Sequence, residues 1–245
     1  MDGEIFYLAV FLVATFAAAL IAGMAGFAFG LLAAAIWLHV LTPLQSMALI
    51  VGYGLIVQGI AVWHLRHALS WPRLWPFLLG AAVGVPLGIA AVTAIDPSPM
   101  RRAVGAVLLL YAGYSLAKPK LKPIPAMGWP ADAFVGLCNG VLGGMTGLAG
   151  IVVVIWSGVR GWEKDTQRAV FQPIGVATFV MCALWLGAGG TIRTDAIRLF
   201  LLGLPLLIFG TWLGLKLYGR LDEARFRRIV LVLLLLSGLS LVIKP

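Results

Sequence analysis

From Ile5 to Leu65 the chain carries no Asp, Glu, Lys or Arg. About 18 uncharged apolar residues already suffice for one membrane crossing, so this run must hold more than one. The rest of the 245 residues is of the same kind: 62% are hydrophobic and 11% charged, where a soluble domain carries roughly a quarter charged residues. That composition argues against a water-soluble fold. The formal charge of +9 does not point to nucleic acid, because the basic residues sit in short clusters between apolar segments and form no stripe on a soluble face. They read as topology signals, and the expected partners are the lipid bilayer and a small solute. Cys138 and Cys182 lie inside apolar segments with neither metal-ligand spacing nor a disulfide framework, and read as packing residues. The start, MDGEIFYLAV, lacks the basic region of a cleavable signal, so the first segment is expected to stay in the mature protein.

Charges and Pro/Gly clusters divide the chain into eight apolar stretches, at about 5–41, 44–65, 74–95, 103–117, 131–159, 169–192, 196–217 and 229–243. The expected fold is all-α, a polytopic membrane helix bundle. Between the fourth and fifth stretches lies KPKLKPIPAMGWP, where four prolines oppose a helix and three lysines oppose burial. Residues 1–117 and 131–245 are thus read as two membrane repeats joined by a linker, 118–130. The repeats echo each other in order. Gly23, Met24, Gly26 and Ala28 recur as Gly144, Met145, Gly147 and Ala149 at an offset of 121; FLLG at Phe77–Gly80 recurs at Phe200–Gly203; Asp96, Arg101 and Arg102 recur as Asp222, Arg227 and Arg228. Duplicated units of this sort are frequent in secondary transporters.

The first stretch of each repeat decides whether the repeats are parallel or inverted. As one helix, residues 5–41 would be roughly 55 Å long, against about 30 Å of hydrocarbon core. The equivalent 131–159 has Gly140, Gly143, Gly144, Gly147 and Gly150 near its middle, leaving arms of about 10 to 12 residues, each half a bilayer long. Each repeat is therefore expected to open with a glycine-broken helical hairpin that returns to the side it entered. Counting Lys and Arg supports this: with hairpins the 18 basic residues divide 13 to 5 between the two sides, and without them 10 to 8. The expectation is inverted repeats, a cytoplasmic linker and both termini periplasmic.

Irregular backbone at membrane depth is tolerated only where protein or a polar cavity satisfies it, so the bends are the leading site candidates. A helix restarting after such a bend offers free N–H groups and a partial positive charge, which bind anions without a buried Lys or Arg. The structural alternative is that these glycines only let helices touch. Asn139 and Thr146 beside the second bend, His39 beyond the first, and Gln45, Ser46, Gln167 and Gln172 at the start of the next segments could complete a site or simply join helices. Gln58, further along its segment, ranks lower. Most tryptophans sit near segment ends, as belt residues do. No Asp or Glu lies well inside an apolar stretch, which leaves no acidic proton relay and no paired carboxylates; a catalytic role loses weight, and no cofactor or metal is expected. An anion leaving a negative interior moves downhill by about 2.3 kcal/mol per charge per 100 mV, so an exporter could work without ion coupling.

GMAGFAFG near the start, its echo GGMTGLAGI after the linker, and the paired PSPMRR and DEARFRR turns resemble the TauE/SafE sulfite exporter family over nearly the whole chain. The resemblance implies export of sulfite or small organosulfonates such as sulfoacetate across the bacterial inner membrane, with the glycine motifs lining the path. Residue by residue it points to Gly23, Met24, Gly26, Gly144, Met145, Thr146 and Gly147. Phe27 and Phe29 stand where the second motif has Leu148 and Gly150, so the bends need not contribute equally. An anion channel and a scaffold protein without a solute are the competing readings. For oligomeric state only the base rate speaks, and it favours a homodimer.

Overall fold

The computed structural model describes residues 2–25, 29–65, 69–117, 127–190, 194–217 and 223–243. It is all helical there, with ten helices: α1 (Asp2–Ala25), α2 (Phe29–Trp37), α3 (Pro43–Leu65), α4 (Trp71–Ala94), α5 (Pro97–Ala117), α6 (Gly128–Thr146), α7 (Ile151–Val159), α8 (Lys164–Ala188), α9 (Thr194–Leu217) and α10 (Glu223–Ile243). Five of them contain stretches long and apolar enough to cross a membrane: Ile5–Met24, Pro43–Ile60, Trp71–Ala94, Asp165–Ala188 and Thr194–Leu217.

The first stretch of each repeat is broken, but not into equal arms. The second one becomes α6, of 19 residues, and α7, of 9. At 1.5 Å per residue these are about 28 Å and about 14 Å long, nearly a full crossing and half of one. The arms expected from the glycines were shorter on one side because the segment before residue 131 read as linker. Pro130 in fact lies in the first turn of α6, where a missing N–H costs nothing. The first stretch shows the same division, 24 residues in α1 and 9 in α2. Gly26, Phe27 and Ala28 between them, like linker residues 118–126, lie outside the described residues.

The helices gather into two compact units, each drawing on both halves of the chain. One comprises Met1–Tyr53, Ile95–Lys118 and Arg193–Pro245; the other Gly54–Ala94 and Pro119–Ile192. In the first unit α1 lies along α9, and α10 along α5 and α2; in the second α4 lies along α6 and α8, with α7 against α6 and α8. With five helices counted in each half of the chain, the first helix of one half therefore pairs with the fourth helix of the other, once in each unit.

Glycines at four-residue spacing make these pairings. Gly80, Gly84 and Gly88 on α4 meet Gly136, Gly140 and Gly144 on α6, in that order, so the two helices run parallel. A Cβ on Gly144 would stand 2.5 Å from Val85 O, and one on Gly140 would stand 2.7 Å from Ala81 O. Those are backbone atoms that cannot swing aside. In lipid, where apolar burial between helices gives little drive, such close backbone contact is what holds helices together. The α1–α9 pair is parallel as well: a Cβ on Gly210 would stand 2.8 Å from Phe16 O, and one on Gly23 would stand 2.5 Å from Thr211 O. On α5 and α10 the order reverses. The Cβ position of Gly105 faces Gly238 O at 2.8 Å and Leu241 at 3.0 Å, while that of Gly238 faces Leu108 at 3.2 Å, so these two run antiparallel.

Each unit has its own core. In the first, Phe11, Phe29, Trp37 and Tyr53 are buried together, with Tyr53 stacked on Phe200 at 4.8 Å between ring centres and its hydroxyl 2.9 Å from Phe200 O. In the second, Leu74, Phe77, Val135, Val153, Val170 and Ile174 form an apolar cluster.

Candidate functional site at the break between α6 and α7

Gly147 ends α6 in the left-handed conformation, φ 75° and ψ 1°, and its N–H donates to Gly143 O at 2.8 Å. Thr146 donates its hydroxyl back to Leu142 O at 2.6 Å and accepts from Leu148 N–H at 3.1 Å. The chain turns again at Gly150, φ 96°, which only glycine adopts without strain. Its N–H donates to Asn139 Oδ1 at 2.7 Å. Asn139 Nδ2 in turn donates to Thr178 Oγ1 on α8 at 3.4 Å, and Thr178 donates to Ile174 O at 2.7 Å. Asn139 and Thr178 are fully buried and Thr146 nearly so. Side chains of α6 and α8 thus satisfy the irregular backbone, as a bend inside an apolar environment demands.

Helix α7 then starts with its first intrahelical bond, Val154 N–H to Gly150 O at 2.9 Å, and no side chain caps it. Among the described residues no group accepts from the amides of its first turn, and the helix dipole adds partial positive charge at the same place. Its other end is fixed: Trp156 Nε1 donates to Asp132 Oδ1 on α6 at 2.8 Å, and the Arg160 guanidinium lies 3.6 Å from that carboxylate, over the rings of Trp156 and Trp162 at 5.6 and 5.5 Å.

Residues 171 to 175 of α8 flank the break. The Cβ position of Gly150 is 3.7 Å from Phe171 O, and that of Gly175 is 3.9 Å from Ala149 O. Between them sits Gln172, 6% exposed, its Oε1 without a hydrogen-bond partner. Gln58 comes in from α3: its Oε1 lies 2.6 Å from the Cβ position of Gly175. Sequence reasoning ranked Gln58 low because it counted distance along the segment. What brings it here is the crossing of α3 over α8, and a signal existed, since the 121-residue offset makes Gly54 and Gly175 mates.

Of the sequence candidates, Asn139, Thr146, Gly147 and Gln172 are brought together here, with Gly150, Thr178 and Gln58 added. Gly144 belongs to the same helix but faces α4 at close contact, and Met145 is half-buried beside it. The others belong to the first unit. Gly23 faces α9, Met24 is buried at the end of α1, and Gly26 lies outside the described residues. Gln45 is engaged as a helix cap: its Oε1 accepts from Thr42 N–H at 3.1 Å while its own N–H donates to Thr42 Oγ1 at 3.2 Å, the reciprocal capping box, with Pro43 opening α3. His39, in the turn after α2, has its Nε2 3.5 Å from Ser237 Oγ; partial burial and the nearby charge of Arg101 lower its pKa. Among the described residues no group of His, Cys, Asp and Glu is arranged to hold a metal ion.

Apolar helices and a broken helix whose bend is internally satisfied define a polytopic α-helical membrane protein of the transporter class. The chain belongs to the sulfite exporter TauE/SafE family, whose family model matches residues 10–241. It is 30% identical over 173 residues, 70% of this chain and 72% of the relative, to the "Probable inner membrane transporter protein TsaS" of Comamonas testosteroni. No solved structure matches it. This protein is accordingly a multi-pass inner-membrane transporter and not an enzyme.

Proposed function

We propose that this protein exports a small sulfur-containing oxyanion, sulfite or an organosulfonate such as sulfoacetate, and binds it at the N-terminus of α7. The observation that carries this reading is the uncapped first turn of α7, restarting from two left-handed glycines beside the buried Asn139, Thr178 and Gln172. Neutral donors fit the task. A fixed Lys or Arg at membrane depth would be costly to bury, and an anion held by amides and a dipole is easier to release. Export is the direction the membrane voltage favours for a negative solute, at about 2.3 kcal/mol per charge per 100 mV. Family membership supports sulfite as the first solute to test.

The same proposal includes the topology: inverted repeats, a cytoplasmic linker and periplasmic termini. Its support is the 13 to 5 division of basic residues together with the antiparallel run of α5 and α10, because two opening stretches that each return to their own side reverse the second repeat.

The test is uptake of labelled sulfite, sulfoacetate and taurine into proteoliposomes of the purified protein at controlled voltage. Saturable uptake of a sulfur oxyanion, driven by voltage alone, is the expected result. Flux without saturation or counterflow would indicate a channel. No flux above empty liposomes, from folded protein, would overturn the transport reading and leave a scaffold. A strict requirement for a proton gradient at fixed voltage would remove uncoupled export.

A further inference from the structure

The duplication does not give this protein two equivalent polar bends, and the difference lies in side chains. The mates of the residues around the α6–α7 break follow from the 121-residue offset. Asn139 corresponds to Ala18, Gly150 to Phe29, Gln172 to Val51 and Thr178 to Val57, and every one of those mates is apolar. In the first unit Phe29 is buried edge-on against Trp37 and Tyr53. Aromatic rings occupy its surroundings, while the second unit has a hydrogen-bonded Asn and Thr.

Helices α3 and α8 add a reciprocal pair. Gly54 of α3 is covered by the Phe179 ring, its Cβ position 2.5 Å from Cε2; Gly175 of α8 is covered by Gln58, at 2.6 Å. Gly54 and Gly175 are mates, and so are Gln58 and Phe179. One crossing thus presents the same contact twice, with a phenyl ring on one side and a carboxamide on the other. The carboxamide is the one beside the break, since Ala149 O lies 3.9 Å from the same Gly175 position. Gln58 makes no hydrogen bond with another described residue, and Gln172, one turn before Gly175 on α8, buries an unpartnered Oε1. The Gln58 carboxamide and the unpartnered Gln172 Oε1 thus both belong to the stretch around Gly175, whose Cβ position is 3.9 Å from Ala149 O, two residues before α7 begins.

We propose that each chain has a single oxyanion site, at the α6–α7 break, and that Gln58, contributed by the first repeat, completes it as a specificity-determining residue that hydrogen-bonds the solute. This rests on the reading of α7 given above and adds the residue and the number of sites. A carboxamide can turn either end to the solute. Its N–H₂ donates to an S–O⁻ oxygen, and its oxygen accepts from the O–H of a protonated oxyanion. Gly175 keeps the space that this rotation needs.

The experiment measures labelled-sulfite uptake in proteoliposomes for the wild type, Gln58→Ala, Gly175→Ala and the double variant, and sulfite stoichiometry on purified protein by titration calorimetry. Gln58→Ala is expected to raise KM about tenfold, the loss of a hydrogen bond to a charged group, with maximal rate and melting temperature little changed. Gly175→Ala, which displaces the Gln58 carboxamide while leaving it in the chain, is expected to raise KM in the same direction, and the double variant to add little to Gln58→Ala. One sulfite bound per chain is expected. An unchanged KM in Gln58→Ala, additive single effects, or two sulfites per chain would each overturn the proposal while leaving sulfite transport intact. Absence of wild-type sulfite uptake and binding would overturn the functional reading itself, and this inference with it.

Discussion

Asn139 serves the backbone with one end of its carboxamide and α8 with the other, accepting from Gly150 N–H and donating to Thr178. The two ends can be separated by mutation. Asn139→Leu removes the acceptor and leaves a buried amide unpaired, which costs about 1–3 kcal/mol; a clearly lowered melting temperature in detergent is expected. Asn139→Asp keeps an acceptor for Gly150 and sets a negative charge near the start of α7, where the dipole tolerates it, but the charge repels an entering anion. The expected outcome is a lowered melting temperature here too, because a buried charge is costly even beside a helix dipole, with sulfite uptake about tenfold or more below that of Asn139→Leu, the factor a site charge worth about 1.4 kcal/mol would give. Equal losses of stability and uptake in both variants would mean that Asn139 acts only on the fold.

At the scale of helices, the glycines of α6 divide between two jobs that the sequence shows as one cluster. Gly136, Gly140 and Gly144 recur every fourth residue and face α4, whereas Gly147 and Gly150 take positive φ and make the turn. Gly144→Ala would push a methyl to 2.5 Å from Val85 O, forcing α4 and α6 apart at a cost of about 1–3 kcal/mol, the usual range for overpacking. Gly113→Ala on α5 meets nothing within 4 Å and is expected to be neutral or to stabilise by about 0.5–1 kcal/mol through helix propensity. Thermal unfolding of both variants checks this, and a harmless Gly144→Ala would mean that the pairing yields more than glycine-lined contacts do elsewhere. The helices and the break were legible because charge, length and glycine clustering are local properties of the chain. The unequal arms were not, since Pro130 looks the same in a linker and in a first helical turn. Gln45 carried a legible capping signal, Thr-x-x-Gln before an apolar run, that polarity alone obscured. Gln58 was marked only by the 121-residue offset between Gly54 and Gly175, and placing it took the α3–α8 crossing, because partners far apart in sequence leave no mark on periodicity.

For the whole molecule the proposed topology turns on whether the opening stretch of each repeat returns to its own side. If each crossed once, α5 and α10 would each follow the same number of crossings in its repeat and the repeats would be parallel. They run antiparallel in the first unit, which agrees with returning stretches and with the uneven division of basic residues. Two pairs of exposed positions separate the alternatives: Ser70 with Glu163, and Asp96 with Gly189. With returning stretches the members of each pair share a side; with single crossings they are on opposite sides. Cysteines placed singly at these four positions, in a chain whose Cys138 and Cys182 are replaced by Ala, can be labelled in right-side-out spheroplasts with a maleimide that does not cross the membrane. Asp96→Cys and Gly189→Cys are expected to label directly, and Ser70→Cys and Glu163→Cys only after permeabilisation. Direct labelling of one member of either pair but not the other would refute the inverted arrangement. Labelling of Ser70→Cys and Glu163→Cys in place of the other two would keep the inversion but reverse the orientation, against the positive-inside bias, and would place the linker and its lysines outside.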